Sequence, residues 1–110
     1  MSWFNRAPNP LEITAAEAHD LVKDGSAVLV DVREANEWSS GHAHPAKHVP
    51  LGALSLKLGQ LPRDREILVI CRSGNRSLVG AKLLANAGFK ARSVAGGTLA
   101  WARGGLPLAR

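Results

Sequence analysis

The chain contains one cysteine, so no intramolecular disulfide can staple it. A lone thiol points to a reducing compartment rather than a secreted scaffold, and the reading is cytoplasmic. Residues 1–10 lack an apolar h-region, so they do not read as a signal peptide. No apolar run approaches the roughly 20 residues that span a bilayer, and no membrane partner is expected. Tyrosine is absent, aromatic residues make up only 5%, and there is no basic run. Nucleic acid is usually gripped by basic stripes interleaved with stacking aromatics, so no nucleic-acid partner is expected either. Acidic residues also run out. All nine lie at or before Glu66, where seven basic residues leave the segment at −2, while Ile67 to Arg110 carries seven basic residues and no acidic one, giving +7. Such asymmetry points to an anionic partner, here a small anion bound within the C-terminal half.

What is present suits one domain. The 110 residues are 45% hydrophobic and 21% charged, without repeat, low-complexity tract or linker. Residues 1–10 read as a lead-in and residues 11–110 as the domain. Trp3 and Phe4 in the lead-in are a candidate apolar tip or contact patch. Leu11 to Ile13 predicts a short strand. Thr14 and Glu17 make a capping-box pattern for a helix with Ala18, Leu21 and Val22 on its apolar face and Gly25 at its stop. Ala27 to Val32 is a buried-strand run. Glu34 to Ser40 predicts a short helix closed by Gly41. His42 to Pro50 reads as irregular, with Pro45 and Pro50 against regular structure. Leu54 to Leu61 predicts a short helix stopped by Pro62.

Glu66 to Ile70 is a second buried strand with Cys71 at its C-terminal end. A loop, Arg72 to Arg76, leads into a helix from about Ser77 to Ala87, with Val79, Leu83 and Ala87 recurring at helical spacing. Ala91 to Val94 is a third strand. Gly96 and Gly97 turn the chain into a short helix that Thr98 caps and that contains Trp101. Strands alternating with helices give an α/β fold with a mainly parallel central sheet, flanked by helices on both faces. Ligands in such sheets bind beyond the C-terminal strand ends, where Cys71 falls.

The segment Cys71-Arg72-Ser73-Gly74-Asn75-Arg76-Ser77 is therefore the candidate site. Successive N–H groups in a tight loop form an anion nest, and the next helix adds its unpaired N–H groups and positive dipole end. Arg72 and Arg76 add two charges, and Gly74 permits the curl. Each favours thiolate over thiol and lowers the pKa of Cys71 below about 8.5. The bland alternative is a small buried hydrophobe at a strand end. The polar, basic flanks oppose it, and a thiolate in an anion cradle is a nucleophile. Asp31 and Arg33 sit at a neighbouring strand end, as supports of the loop or as an internal ion pair. His42, His44 and His48 match no named zinc spacing and lack a second cysteine, so no metal is expected. Trp38 and Trp101 read as packing residues.

At this level of detail the sequence resembles the rhodanese family along nearly its whole length. The likeness rests on the Cys71 to Ser77 loop and on Leu29-Val30-Asp31-Val32-Arg33-Glu34 with Glu37-Trp38 and Gly41-His42. Val49-Pro50-Leu51 and Gly96-Gly97, Trp101 and Gly105-Leu106-Pro107 extend it. The segment Ala43-His44-Pro45-Ala46-Lys47 departs from the family's usual pattern. The resemblance implies a sulfurtransferase with Cys71 catalytic and Arg72, Ser73, Gly74, Asn75, Arg76 and Ser77 as the substrate-binding loop. It implies a thiosulfate or persulfide donor, cyanide, a thiol or a thioredoxin-like protein as acceptor, and no cofactor. A persulfide carrier or docking module is the alternative of another class. Rhodanese-fold phosphatases and arsenate reductases place an Arg six positions after the cysteine. Here Arg76 lies at the fifth and Ile70 replaces the phosphatases' preceding His, so that chemistry is a distant alternative.

Overall fold

The computed structural model describes residues 9–110, and the expected apolar tip at Trp3 and Phe4 lies outside the described residues. Along the chain come β1 (Glu12–Ile13), α1 (Ala15–Lys23), β2 (Ala27–Asp31), α2 (Ala35–Ser39), β3 (His42–Ala43) and β4 (Lys47–His48). Two 3-10 turns, Leu51–Leu56 and Leu58–Gln60, lead to β5 (Glu66–Ile70), α3 (Asn75–Asn86), β6 (Ala91–Val94), α4 (Gly97–Arg103) and β7 (Leu108–Ala109). Five strands form a parallel sheet in the order β1-β6-β5-β2-β4, and β3 pairs with β7 in a separate antiparallel ribbon.

The apolar runs dictate the centre. β2 and β5 pair along their full length, Ala27 opposite Glu66 and Asp31 opposite Ile70. Side chains alternate across a strand, and each face has its own cluster. Val30, Val32, Ile67 and Val69 meet Ala81 and Leu84 of α3, together with Leu54. Leu29, Leu68, Ile70 and Val94 meet Ala18 of α1 and Trp101 of α4. Helices thus cover both faces, which is why these strands are apolar throughout rather than alternating. Burying each large aliphatic side chain contributes about 1.5–3 kcal/mol. The same alternation carries past the end of β5: Cys71 continues the Ile67–Val69 row and so lies on the α3 side.

α1 begins as its residues predict, with Thr14 and Glu17 completing the capping box. Four local expectations are corrected. The segment from His42 to Pro50 is not irregular throughout, since Lys47–His48 adds an edge strand opposite Val30 and Asp31. The expected Leu54 to Leu61 helix is two 3-10 turns starting at Leu51. α3 starts at Asn75, and its buried row is Ser77, Gly80, Ala81 and Leu84, while Val79 is 56% exposed. The reason is close approach: a side chain on Gly80 would lie 3.2 Å from Val69 Cγ1, so small residues face the sheet. Finally, Gly96 occupies the cap position of α4, and Thr98 lies within its first turn.

Candidate active site

Cys71 follows β5 directly and is 1% exposed. Its backbone is tied from outside the loop. The Thr98 N–H and hydroxyl donate to the Cys71 carbonyl at 2.8 and 3.0 Å, and the Leu99 N–H donates to the Arg72 carbonyl at 3.2 Å. With these carbonyls engaged by α4, the loop's N–H groups are left to turn towards the sulfur. Gly74 makes the turn with φ of 114° at the cap of α3, a conformation that favours glycine. Its N–H donates to Cys71 Sγ at 3.1 Å, and Ser77 Oγ lies 3.3 Å from the same sulfur.

These contacts set the charge state of the thiol. Burial pushes the Cys71 pKa up, but the Ser77 hydroxyl and the N–H groups of Ser77, Gly74 and Ser73 together outweigh it, and the net direction is downward. Hydrogen bonds therefore carry the shift, where the sequence alone also assigns it to arginine charge. Arg72 is exposed on the rim. Arg76, in the first turn of α3, forks onto Glu37 of α2, Nη1 to Oε1 at 2.7 Å and Nη2 to Oε2 at 2.9 Å. That partner holds the Glu37 carboxyl down to about 2 and raises the Arg76 guanidinium further. Of the seven expected loop residues, Cys71, Gly74 and Ser77 are brought together in the interior. Arg72, Ser73 and Asn75 face solvent, and Arg76 bridges to α2.

Asp31 and Arg33 form the internal ion pair, with Arg33 Nη2 2.9 Å from Asp31 Oδ2. Arg33 Nη2 also donates to the Gly41 carbonyl at 2.8 Å, so the pair anchors the far end of the segment that carries Glu37. It supports the loop at one remove. Trp38 is stacked on His42, with ring centroids 3.4 Å apart, and on His48 at 4.9 Å. His42 Nδ1 and His48 Nε2 meet the Trp38 and Arg33 carbonyls at 2.9 and 2.7 Å, so both histidines are engaged in packing this corner. Trp101 is fully buried and donates Nε1–H to the Pro107 carbonyl at 2.6 Å.

Sequence reasoning missed two residues as members of the site. One is Glu37, whose role needs α2 and α3 to meet. The other is Ser93 on β6, fully buried, with Oγ 2.7 Å from Ser77 Oγ. A signal for Ser93 existed: strand alternation places it on the same face as core Ala91, so a hydroxyl there needs a buried partner.

The family model described as rhodanese-like domain matches residues 14–103. YtwF of Bacillus subtilis, a proposed sulfurtransferase, is 40% identical over 88 residues, covering 80% of this chain and 85% of that protein. A sulfurtransferase of Allochromatium vinosum is 34% identical over 89 residues, covering 80% and 83%. The crystal structure of a rhodanese-related protein from Thermoplasma volcanium superposes with a TM-score of 0.82 at 32% identity, over 89% of this chain and 96% of that one.

Proposed function

The chain belongs to the rhodanese-like family, and from that premise we propose that it moves sulfane sulfur through a persulfide on Cys71. The observation that carries this reading is a buried sulfur held by the Gly74 N–H and the Ser77 hydroxyl at the head of α3. Such a site favours a thiolate, the nucleophilic form. The thiolate attacks the outer sulfur of thiosulfate. A bond forms between Cys71 Sγ and that sulfur, the donor's sulfur–sulfur bond breaks, and sulfite leaves with the electron pair. The enzyme persulfide is anionic, and loop N–H groups and the Ser77 hydroxyl stabilise it. An acceptor, cyanide or a thiol, then attacks the terminal sulfur and restores the thiolate. Every electron pair is accounted for by donor and acceptor, so no step calls for a cofactor.

Arg72 and Arg76 serve the donor's sulfonate oxygens in this scheme, with Ser73, Gly74 and Asn75 shaping the loop around them. A persulfide donor needs less cationic help. The Glu37 partner of Arg76 favours this second reading, a carrier loaded by persulfides with slow thiosulfate turnover. A thiol or thioredoxin-like protein is the proposed acceptor. A working thiolate on Cys71 needs reducing conditions to stay unoxidised, which suits a cytoplasmic setting. Among the described residues no helix is long and apolar enough to cross a membrane.

Intact-mass spectrometry after thiosulfate treatment tests the carrier chemistry. We expect a gain of one sulfur atom on the native protein and none on Cys71→Ser. Cyanide turnover then separates enzyme from carrier. A sulfur adduct that persists in Cys71→Ser would reject the assignment.

A further inference from the structure

Ser93 has a role that the catalytic scheme does not use. Its side chain is fully buried, and its hydroxyl reaches two groups, Ser77 Oγ at 2.7 Å and the Gly74 carbonyl at 3.4 Å. Ser77 in turn donates to the same carbonyl at 3.1 Å and lies 3.3 Å from Cys71 Sγ. Sulfur, two hydroxyls and one carbonyl thus form a connected, buried set.

Counting protons shows what Ser93 does there. With Cys71 as a thiol, S–H points at Ser77 Oγ and the Ser77 proton satisfies the Gly74 carbonyl. With Cys71 as a thiolate, the sulfur needs that proton, and the Ser77 O–H must rotate from the carbonyl to Sγ. The rotation removes a donor from Gly74 and leaves the Ser77 lone pairs facing Ser93. Gly74 retains the Leu78 N–H at 3.2 Å, and Ser93 is the remaining hydroxyl, among the described residues, that reaches both Ser77 and Gly74. No heavy atom has to move.

We propose that Ser93 is a positioning residue that releases the Ser77 proton to Cys71 sulfur, by turning its one proton onto Ser77 Oγ whenever the sulfur is anionic, while the Leu78 N–H keeps the Gly74 carbonyl satisfied. This rests on the persulfide reading only in that an anionic sulfur is the working state. A hydrogen-bond donor satisfied in this way is also polarised, which strengthens its bond to the charge. β6 is thereby a functional strand of the site, acting from behind the loop.

Charges around the sulfur are unchanged by substitutions at Ser93. Arg72 and Arg76 sit on the loop and α3, Glu37 holds Arg76 from α2, and the Asp31–Arg33 pair closes the end of β2. Glu12 of β1 lies opposite Ser93 in register. Any shift on removing the hydroxyl therefore reports the hydrogen bonds.

The test is iodoacetamide alkylation of Cys71 against pH, which needs neither donor nor acceptor, so its outcome is independent of whether sulfur transfer itself is found. Ser93→Ala should move the alkylation midpoint up by about one pH unit, and slow the reaction about tenfold below that midpoint. Ser93→Thr should stay near the native midpoint, while Ser93→Val, of the same shape without the hydroxyl, should follow alanine. This pair decides the matter even if the alanine variant folds poorly. In a Ser77→Ala background, Ser93→Ala should cause no further shift. A native midpoint in both Ser93→Ala and Ser93→Val, equal shifts in Thr and Val, or a full shift in the Ser77→Ala background would each overturn the proposal.

Discussion

Glu37 and Arg76 meet face to face, two parallel hydrogen bonds of 2.7 and 2.9 Å joining α2 to the first turn of α3. The pair spans 39 positions of sequence and fixes the loop's last cation. It also means that Arg76 presents only part of its charge to an incoming anion, since a carboxylate already occupies both prongs of its fork.

Donor charge should therefore be read through Glu37. Glu37→Gln removes the competing charge, and KM for thiosulfate is expected to fall about threefold, the scale of a partly exposed ion pair. Arg76→Ala should raise that KM about tenfold while loading by a neutral persulfide donor changes less. Steady-state kinetics with the two donors checks both. Equal losses with both donors would mean that Arg76 holds the loop rather than the sulfonate.

The same pair gives an acid limb to stability. Glu37 is held at about 2 against an ordinary 4.5. A depressed carboxyl contributes stability that is fully present above the unfolded value and is lost as pH falls through the folded one. Urea unfolding should show the native protein ahead of Glu37→Gln at neutral pH, and the gap should close between about pH 4.5 and about pH 2. The gap stays small because the Arg76 and Glu37 side chains are 37% and 24% exposed. A gap independent of pH would contradict the assignment.

Ser77→Ala isolates the thiolate's nearest hydroxyl. The native alkylation midpoint should lie below about 8.5, the ordinary thiol value, and the variant's should rise by about one pH unit. Alkylation rate against pH measures both, and a native midpoint at or above 8.5 would show that burial wins over the hydrogen bonds.

α4 reaches the loop only because position 97 has no side chain. Gly97 has φ of 55°, and a Cβ there would collide with the Cys71 carbonyl oxygen and come within 2.6 Å of the Arg72 carbonyl carbon. Gly97→Ala should cost about 2 kcal/mol or more in urea unfolding. It should also break the Thr98 and Leu99 bonds to the loop, returning Cys71 alkylation towards that of a free thiol.

How far these features could be read from the residues follows from what each depends on. β2 and β5 were marked by apolar runs bounded by turn residues, and the loop by its Arg, Ser and Gly content after a strand end. α3's inner row was hidden because Ser77, Gly80 and Ala81 are chosen for smallness, so hydrophobicity favoured Val79 instead. β4 is Lys47 and His48, an edge pair with no apolar signal, and it is a strand only because β2 offers its backbone. Glu37 and Ser93 are ordinary polar residues until the fold sets one beside Arg76 and the other beside Ser77. Contacts over 39 and 16 positions of sequence leave no local pattern.

Release of the sulfur is constrained by the cysteine count and by burial together. Cys71 is the chain's one cysteine, so its persulfide has no resolving thiol with which to form an intramolecular disulfide. At 1% exposure its sulfur is also poorly placed to meet the same sulfur of a second copy. On the proposed reading, the terminal sulfur is expected to leave to something small or narrow enough to reach the buried loop: a thiol, cyanide, or a cysteine on a protruding loop of a partner protein. Protein loaded with thiosulfate and stripped of small molecules should accordingly keep its extra sulfur for hours at neutral pH, and lose it within minutes of adding a thiol. Intact-mass spectrometry over time follows both phases. Rapid loss from the purified protein without acceptor would show that water or the loop itself discharges the persulfide. Quantitative Cys71–Cys71 dimer would place the acceptor on a second copy and require the loop to open far more than its hydrogen bonds from α4 and Ser77 allow.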